Sequence, residues 1–446
     1  MEIFLSFLGY VLLGSVWTNR QVSEVYSFVG IGLISLVMIV YIFRHFHGKI
    51  QIALLVGLVL RLALLALDYF TNVPILHSGS DTEKFYETAV DNLGVGEDFY
   101  LTSYGYLLTK LFELIGPQRL FAQFINVLLG MGTLFYFLKI LRLLKVSYKK
   151  TLIALWILVL MPQMIIFSGI LLRESLIIFL ATVSFYYLVE WYLGRNRGAL
   201  FALVTACGAA VLHSGMLGWV FGIAFIILFY NRQYNRISFS VLRVSLSSAF
   251  LIGFVVLLLS QKVFTAYLDP VLNTEGEGIS SAAVQYLANS STGHFAQSSY
   301  LTSLNYASVW EVVLFSPLKV LYFLSAPMPW DWRSLVDAIA FALDSTFYLF
   351  CLWGIYFKKR KGRKRSKQGT QNFVQIAMVG FWIAVVLYSF GTSTAGTAIR
   401  HRANFFPILL VISFVCSISR TKQVVSNQAR HLEIDRHEST YCTKHK

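Results

Sequence analysis

The chain has 446 residues, of which 57% are hydrophobic and only 13% charged, with a formal net charge of +15 and a positive mean hydropathy. This balance excludes an ordinary soluble domain, in which roughly a quarter of residues are charged. No soluble domain accompanies the basic excess, so no nucleic-acid partner is expected.

Apolar segments of roughly 16 to 24 residues recur along the whole length, each close to the ~20 residues that cover a hydrocarbon core. Backbone groups in lipid must be bonded within the segment or around a closed barrel. Continuous Leu-rich runs, rather than alternating patterns of about ten residues, decide for helices. The expected fold class is all-α: a polytopic membrane helix bundle of about twelve transmembrane helices. In chain order they fall near residues 3–17, 26–44, 51–70, 120–138, 151–170, 174–192, 199–213, 215–230, 238–260, 333–356, 373–391 and 403–420. The first lacks a basic start and a clear cleavage site, and a second follows closely, so it is read as retained. Residues 1–420 then form one transmembrane domain, with a polar cytoplasmic tail over 421–446.

Short basic loops set the orientation. Arg44 to Lys49, Arg142 to Lys150, Arg195 to Arg197 and Arg232 to Arg236 mark one side. Lys358 to Lys367 marks it most strongly and reads as a topology anchor near anionic lipid. Both termini are expected in the cytoplasm of a multi-pass plasma-membrane protein. Residues 308–326 are apolar but carry Glu311, Pro317 and Lys319, and are read as a re-entrant or interfacial helix on the outer face. Two long outer loops follow, 71–118 and 261–332 with that helix included. The first holds an amphipathic pattern from Tyr104 to Leu114; the polar part of the second is either a lid over a substrate groove or a solvated connector. The four cysteines lie in spans or the tail, and no structural disulfide is expected.

The ionisable residues of interest gather at the outer ends of the spans. Asp81 sits in the run Gly79-Ser80-Asp81-Thr82-Glu83-Lys84-Phe85 and Asp68 ends the third span. Arg173 and Glu174 open the sixth span, and His213 occupies a tight turn before Gly215. Asp331 and Arg333 follow a Pro-Trp stretch, and Arg400, His401 and Arg402 precede the last span. Outward arginines run against the positive-inside tendency. A guanidinium is permanently charged and its planar fork matches phosphate oxygens. A lipid-linked phosphate or diphosphate is therefore the ligand these arginines suit. Asp81 is placed to take a proton from a sugar hydroxyl attacking an anomeric carbon, with the leaving phosphate met by arginines or a metal. No cofactor is expected, and the first loop offers few ligands for a divalent metal. Within the spans, Arg61 is expected to pair with Asp337 or Asp344 as a structural staple, or else to line a polar groove for the carrier phosphate.

The Gly-x-Asp-x-x-x-Phe pattern resembles the first-loop carboxylate of GT-C type integral-membrane glycosyltransferases. The run from Met161-Pro162 through Ser168-Gly169-x-x-x-Arg173-Glu174-Ser175 to His213-Ser214-Gly215 is similar to bacterial exopolysaccharide polymerases of the EpsG and Wzy type. Arg400-His401-Arg402-x-x-x-x-Pro407 resembles a late outer motif of GT-C-like proteins. The resemblance implies Asp81 as catalytic base with Glu83 in reserve, and His213 as hydrogen-bond donor or proton relay. It implies that Arg173, Arg400 and Arg402 hold the carrier diphosphate; Glu174, Arg333 and His401 are substrate-binding candidates from their place at the same span ends. The acids Asp81 and Glu83 are not adjacent, and no soluble C-terminal domain is present, as in the polymerase branch. The function implied is transfer or polymerisation of sugar units from a polyprenyl-(di)phosphate carrier onto a glycan or lipid acceptor, in capsule or exopolysaccharide synthesis. A GT-C monosaccharide transferase acting on a lipid, glycan or protein is the alternative within the class. A precursor flippase or transporter is the competing class, although the chain shows no pair of matching halves.

Overall fold

The computed structural model describes residues 20–71, 81–94, 102–231, 236–237, 299–301, 309–358 and 368–416. The spans expected at 3–17 and 238–260, most of the second outer loop and of the Lys358 to Lys367 block, and the 421–446 tail lie outside them. The described residues are almost wholly helical. They comprise α1 (Arg20–His45), α2 (Lys49–Phe70), α3 (Asp81–Asp91), α4 (Ser103–Ile115), α5 (Arg119–Leu143), α6 (Tyr148–Leu160), α7 (Pro162–Gly169), α8 (Glu174–Tyr192), α9 (Arg197–Leu212) and α10 (Leu217–Phe229). There follow α11 (Val309–Ser325), α12 (Leu335–Ala340), a π-helical turn (Phe341–Ser345), α13 (Thr346–Lys358), α14 (Gln368–Phe390) and α15 (Ala395–Ala403). The last is α16 (Phe406–Cys416). A two-residue antiparallel pair, Tyr230–Asn231 with Arg236–Ile237, is the one sheet among them.

Five helices are long and apolar enough to cross a membrane, and counting two bent pairs as single spans brings the number to seven. The expected twelve are therefore not reached among the described residues. The difference has identifiable causes. The spans expected at 199–213 and 215–230 are helices of 16 and 13 residues, roughly 24 and 20 Å long at 1.5 Å per residue. The stretch at 151–170 is broken by 53° between α6 and α7, and the one at 403–420 contains a 61° break between α15 and α16. Both breaks precede a proline, Pro162 and Pro407, in the first turn of the second helix, where its missing N–H costs nothing.

Large apolar side chains such as Val37, Val59, Leu200 and Val211 face outward, whereas Arg61, Glu174, Asp344 and Arg402 are buried inside the bundle. That inversion suits a protein whose surroundings are hydrocarbon. Without a hydrophobic force between helices, close approach relies on small residues. The crossing of α10 and α14 shows it: a Cβ on Gly222 would lie 2.6 Å from the Gly380 Cα, and one on Gly218 would lie 2.7 Å from the Ala384 Cα.

The described residues of the segment expected as the first outer loop form two helices, α3 and α4. The amphipathic expectation over Tyr104 to Leu114 corresponds to α4, capped by the Thr102 side chain accepting from the Gly105 N–H. Phe85 packs edge-on against Tyr104 at 5.1 Å, and Tyr86 against Phe112 at 5.7 Å. These contacts lock α3 onto α4. Residues 308–326 contribute α11, which packs on α14 and α15. Cys207, Cys351 and Cys416 are free thiols, and Cys442 lies outside the described residues.

Candidate functional site

Three chain segments far apart in sequence converge on one ion cluster. Arg400, in the last turn of α15, donates from one terminal nitrogen to Asp81 Oδ2 at 2.6 Å. Its Nε and other terminal nitrogen donate to Glu174 Oε1 at 3.2 and 2.9 Å. Each group is also favoured by its own helix: Asp81 and Glu174 stand in the first turns of α3 and α8, and Arg400 in the last turn of α15. Acids at helix N-termini and cations at C-termini complement the peptide dipoles. The two acids differ in access, with Asp81 44% exposed and Glu174 1%. Glu174 is thus the enclosed counter-ion of Arg400 and Asp81 the accessible one.

Arg173 stands beside this cluster, its Nε 3.9 Å from Glu174 Oε1, and one terminal nitrogen donates to the Leu212 carbonyl at 3.3 Å. The segment that carries Arg173 and Glu174 is held by Asn126 of α5. Its side-chain amide donates to the carbonyls of Ile170 and Leu172 at 2.7 and 2.9 Å, and its backbone carbonyl accepts from Ser175 Oγ at 2.9 Å. These bonds satisfy carbonyls left free where α7 ends. The second oxygen of Glu174 is buried without a hydrogen-bond partner among the described residues.

The second wall is a ring stack. His213 closes α9 and its Nδ1 accepts from the Gly215 N–H at 3.0 Å. Its ring meets His401 at 4.4 Å and Tyr388 at 5.2 Å, and Tyr388 meets His401 at 4.9 Å. His401 Nδ1 is 3.1 Å from Thr392 Oγ1. A side chain at position 215 would drive its Cβ to 2.4 Å from the Tyr388 ring, so glycine is required for this approach. Burial, reinforced by the Arg173 and Arg400 charges, pushes the His213 pKa down from 6.5 to about 3. The imidazole is therefore neutral at physiological pH and can accept as well as donate.

The sign of the linkage follows. An unfolded His213 takes up a proton below about 6.5 while the folded one does not, so this group's contribution is complete above 6.5 and declines as the pH falls toward 3. In thermal unfolding of the detergent-solubilised protein, His213→Asn is expected to show a shallower loss of Tm between about pH 6 and pH 4 than the wild type. Parallel curves would assign the depressed pKa elsewhere.

Not every candidate joins the cluster. Glu83 turns away and pairs with Arg119 at 2.8 Å, and Arg119 also reaches Asp68 at 3.4 Å, so these residues hold α3 against α2 and α5. Arg402 is buried against Asp344 and also donates to the Phe323 carbonyl at 3.1 Å and Ser345 Oγ at 2.9 Å. Arg333 lies in a separate cleft with Asp331 and Asp337. The staple expected between Arg61 and Asp337 or Asp344 is absent. Asp344 is engaged by Arg402, while Asp337 forms a capping box with Ser334 at the start of α12. Arg61 instead donates to the Gly57 carbonyl at 2.9 Å, in a small space lined by Gly130, Thr133, Ser168 and Ser175. Asn126, Arg119 and Tyr388 were not singled out in the sequence; only Arg119, a lone charge opening an apolar span, left a trace there. Among the described residues no three His, Cys, Asp or Glu side chains are grouped to hold a metal ion.

The cluster sits at one end of the bundle, where α8 starts and α9 and α14 end, while Arg142, Lys149, Arg195 and Arg197 mark the opposite ends. No protein-family profile and no curated protein sequence matches the chain. In structure it is similar to the apo oligosaccharyltransferase of Archaeoglobus fulgidus, with 13% sequence identity and a TM-score of 0.43. The similarity covers 86% of this chain and 52% of that one, so the chain spans about half the length of that protein.

Proposed function

We propose that this protein is a membrane glycosyltransferase that moves or polymerises sugar units from a polyprenyl-phosphate or -diphosphate carrier onto a glycan or lipid acceptor. The reaction takes place on the outer face of the bacterial plasma membrane, and surface polysaccharide is its product. The observation that carries this reading is the sharing of Arg400 between a buried, permanent counter-ion and an exposed, exchangeable one.

In the resting state Asp81 occupies the guanidinium edge that a phosphate would take. A donor phosphate binds there by replacing Asp81, because its oxygens match the same planar fork. Glu174 keeps Arg400 in place during the exchange, and Arg173 adds a second positive charge beside it. The released Asp81 carboxylate then takes the proton of the acceptor hydroxyl as that oxygen attacks the anomeric carbon. The new carbon–oxygen bond forms as the bond to the carrier phosphate breaks. The electron pair departs with the phosphate, and its charge is met by Arg400 and Arg173. His213, held neutral in the ring stack, serves as a hydrogen-bonding partner for the sugar or phosphate.

This assignment separates binding from chemistry. Asp81→Asn keeps the shape of α3 and weakens the competition for Arg400, so donor is expected to bind at least as well. Transfer is expected to fall by roughly 10²–10⁴-fold, the usual contribution of a general base. Surface glycan measured in a deletion strain complemented with Asp81→Asn, at matched expression, reads the outcome. Undiminished glycan rules out the base assignment.

A further inference from the structure

A second polar cleft of about 280 Å³ opens where α11, α12 and α15 meet. It is lined by Ser299, Tyr300, Asp331, Arg333, Ser334 and Asp337. Its chemistry is unlike that of the ion cluster. Two carboxylates against one arginine leave no positive excess, so an anion gains little there. The carboxylates instead offer acceptors: Asp331, and the Asp337 oxygen that is not engaged by Ser334 and the Arg333 N–H. Asp331 Oδ2 is buried and has no hydrogen-bond partner among the described residues. A buried carboxylate oxygen in that state calls for a donor from outside the chain or from water.

The surroundings add apolar faces. Trp330 is 70% exposed and its indole N–H donates to the Tyr322 hydroxyl at 3.0 Å; Trp332 donates to the Pro327 carbonyl at 3.2 Å. Trp332 also packs against Phe341 at 5.6 Å, whereas Trp330, next to Asp331 in sequence, is held by its edge and leaves most of its ring exposed. The walls are braced from within. Ser345 Oγ donates to the Ala326 carbonyl at 3.0 Å, and Arg402 ties Ser345 and the Phe323 carbonyl to α15. Ala395, the first residue of α15, completes the cleft. Arg400 lies five residues further along the same helix, about 8 Å away at 1.5 Å per residue.

We infer that this cleft is a sugar subsite, which takes the uncharged, hydroxyl-bearing part of a pyranose saccharide while the phosphate occupies the Arg400 cluster. Asp331 accepts from ring hydroxyls, the Arg333 guanidinium supplies a donor, and the exposed Trp330 ring covers the C–H side of a pyranose. The inference rests on the glycosyl-transfer reading and adds where the saccharide lies.

Saturation-transfer NMR on the full-length protein in detergent micelles tests it, with free glucose, galactose, mannose, rhamnose and N-acetylglucosamine as probes and glycerol as control. At least one pyranose is expected to receive saturation above glycerol. Asp331→Asn and Trp330→Ala are each expected to weaken binding roughly tenfold, as the loss of a charged acceptor or a stacking face implies. Arg142→Ala, at the opposite end of the bundle, is expected to leave it unchanged. Trp330 is exposed, so its variant remains informative if Asp331→Asn lowers stability. No signal from any sugar, or signals indifferent to both cleft variants, overturns the subsite. Sugar binding that responds to the cleft variants in a protein whose Asp81 and Arg400 variants make normal glycan would keep the subsite and overturn the transfer reading.

Discussion

Arg400→Ala is expected to reduce sugar transfer by roughly 10²–10³-fold, the loss that follows removal of a donor aimed at developing negative charge. Donor binding should weaken with it, in contrast to Asp81→Asn, because Arg400 is the common partner of both acids and of the incoming phosphate. Arg400→Lys provides the sharper comparison. An ammonium retains the charge and neutralises Glu174, but it lacks the three-nitrogen fork that reaches Asp81 and Glu174 together. The lysine variant is expected to fold with near-normal Tm and still to transfer sugar poorly. Full activity in Arg400→Lys would show that charge alone suffices and that the fork has no role.

The second large effect concerns Arg402, one helical position beyond His401 and yet in a different environment. Arg402 and Asp344 are each 1% exposed and close on one another inside the bundle. Breaking a buried pair by removing one partner costs about 3–5 kcal/mol, since the other charge remains in a low-dielectric interior. Asp344→Ala should therefore lower Tm substantially, as measured by thermal unfolding in detergent. The double replacement Asp344→Leu with Arg402→Met should regain most of that loss, because a well-packed apolar pair replaces the ions. If Asp344→Ala leaves Tm unchanged, the pair is not structural. Asp344 lies in the π-helical turn, whose wider backbone brings its carboxylate across to α15. The ion pair thus anchors the helix that presents Arg400 at its face.

Much of this arrangement was legible in the sequence. Apolar run length gave the helical bundle and most helix positions, and Asp81, Arg173, Glu174, His213 and Arg400 already stood out at or near the ends of the spans. The pairing was not legible. Arg400 meets partners 319 and 226 positions away, and a guanidinium in a sequence carries no mark of which carboxylate it faces. Asp344 illustrates the point: the sequence pairs it with Arg61, and only packing selects Arg402. The divergence of Asp81 and Glu83 has a simpler cause. Read as a loop, the segment leaves both acids free to point the same way. As helix α3, two residues apart are turned by roughly 200° about the axis, so one acid faces Arg400 and the other Arg119. Tyr388 gave no signal, since one tyrosine in an apolar helix resembles any other core aromatic.

The broken helices account for two of the expected spans that are not single helices, and they bear on how the site is assembled. An unbroken α6–α7 segment would carry the chain past the level where Asn126 clamps Ile170 and Leu172, and Arg173 would not reach the cluster. An unbroken α15–α16 segment would leave Arg400 and Arg402 on one continuous transmembrane rod. Both arginines stand on α15 ahead of the 61° break, and two residues apart they are turned by roughly 200° about its axis, so Arg400 points to the cluster while Arg402 turns inward to Asp344.

The pool of carrier-linked saccharides tests the central claim most directly. Lipid extracts from a deletion strain complemented with wild type or Arg400→Ala can be compared by mass spectrometry, at matched expression. Accumulation of unconsumed polyprenyl-linked saccharide in the Arg400→Ala strain, with a matching fall in surface glycan, is the predicted result. An unchanged carrier-linked pool in that strain would contradict transfer from a lipid-phosphate donor at this site.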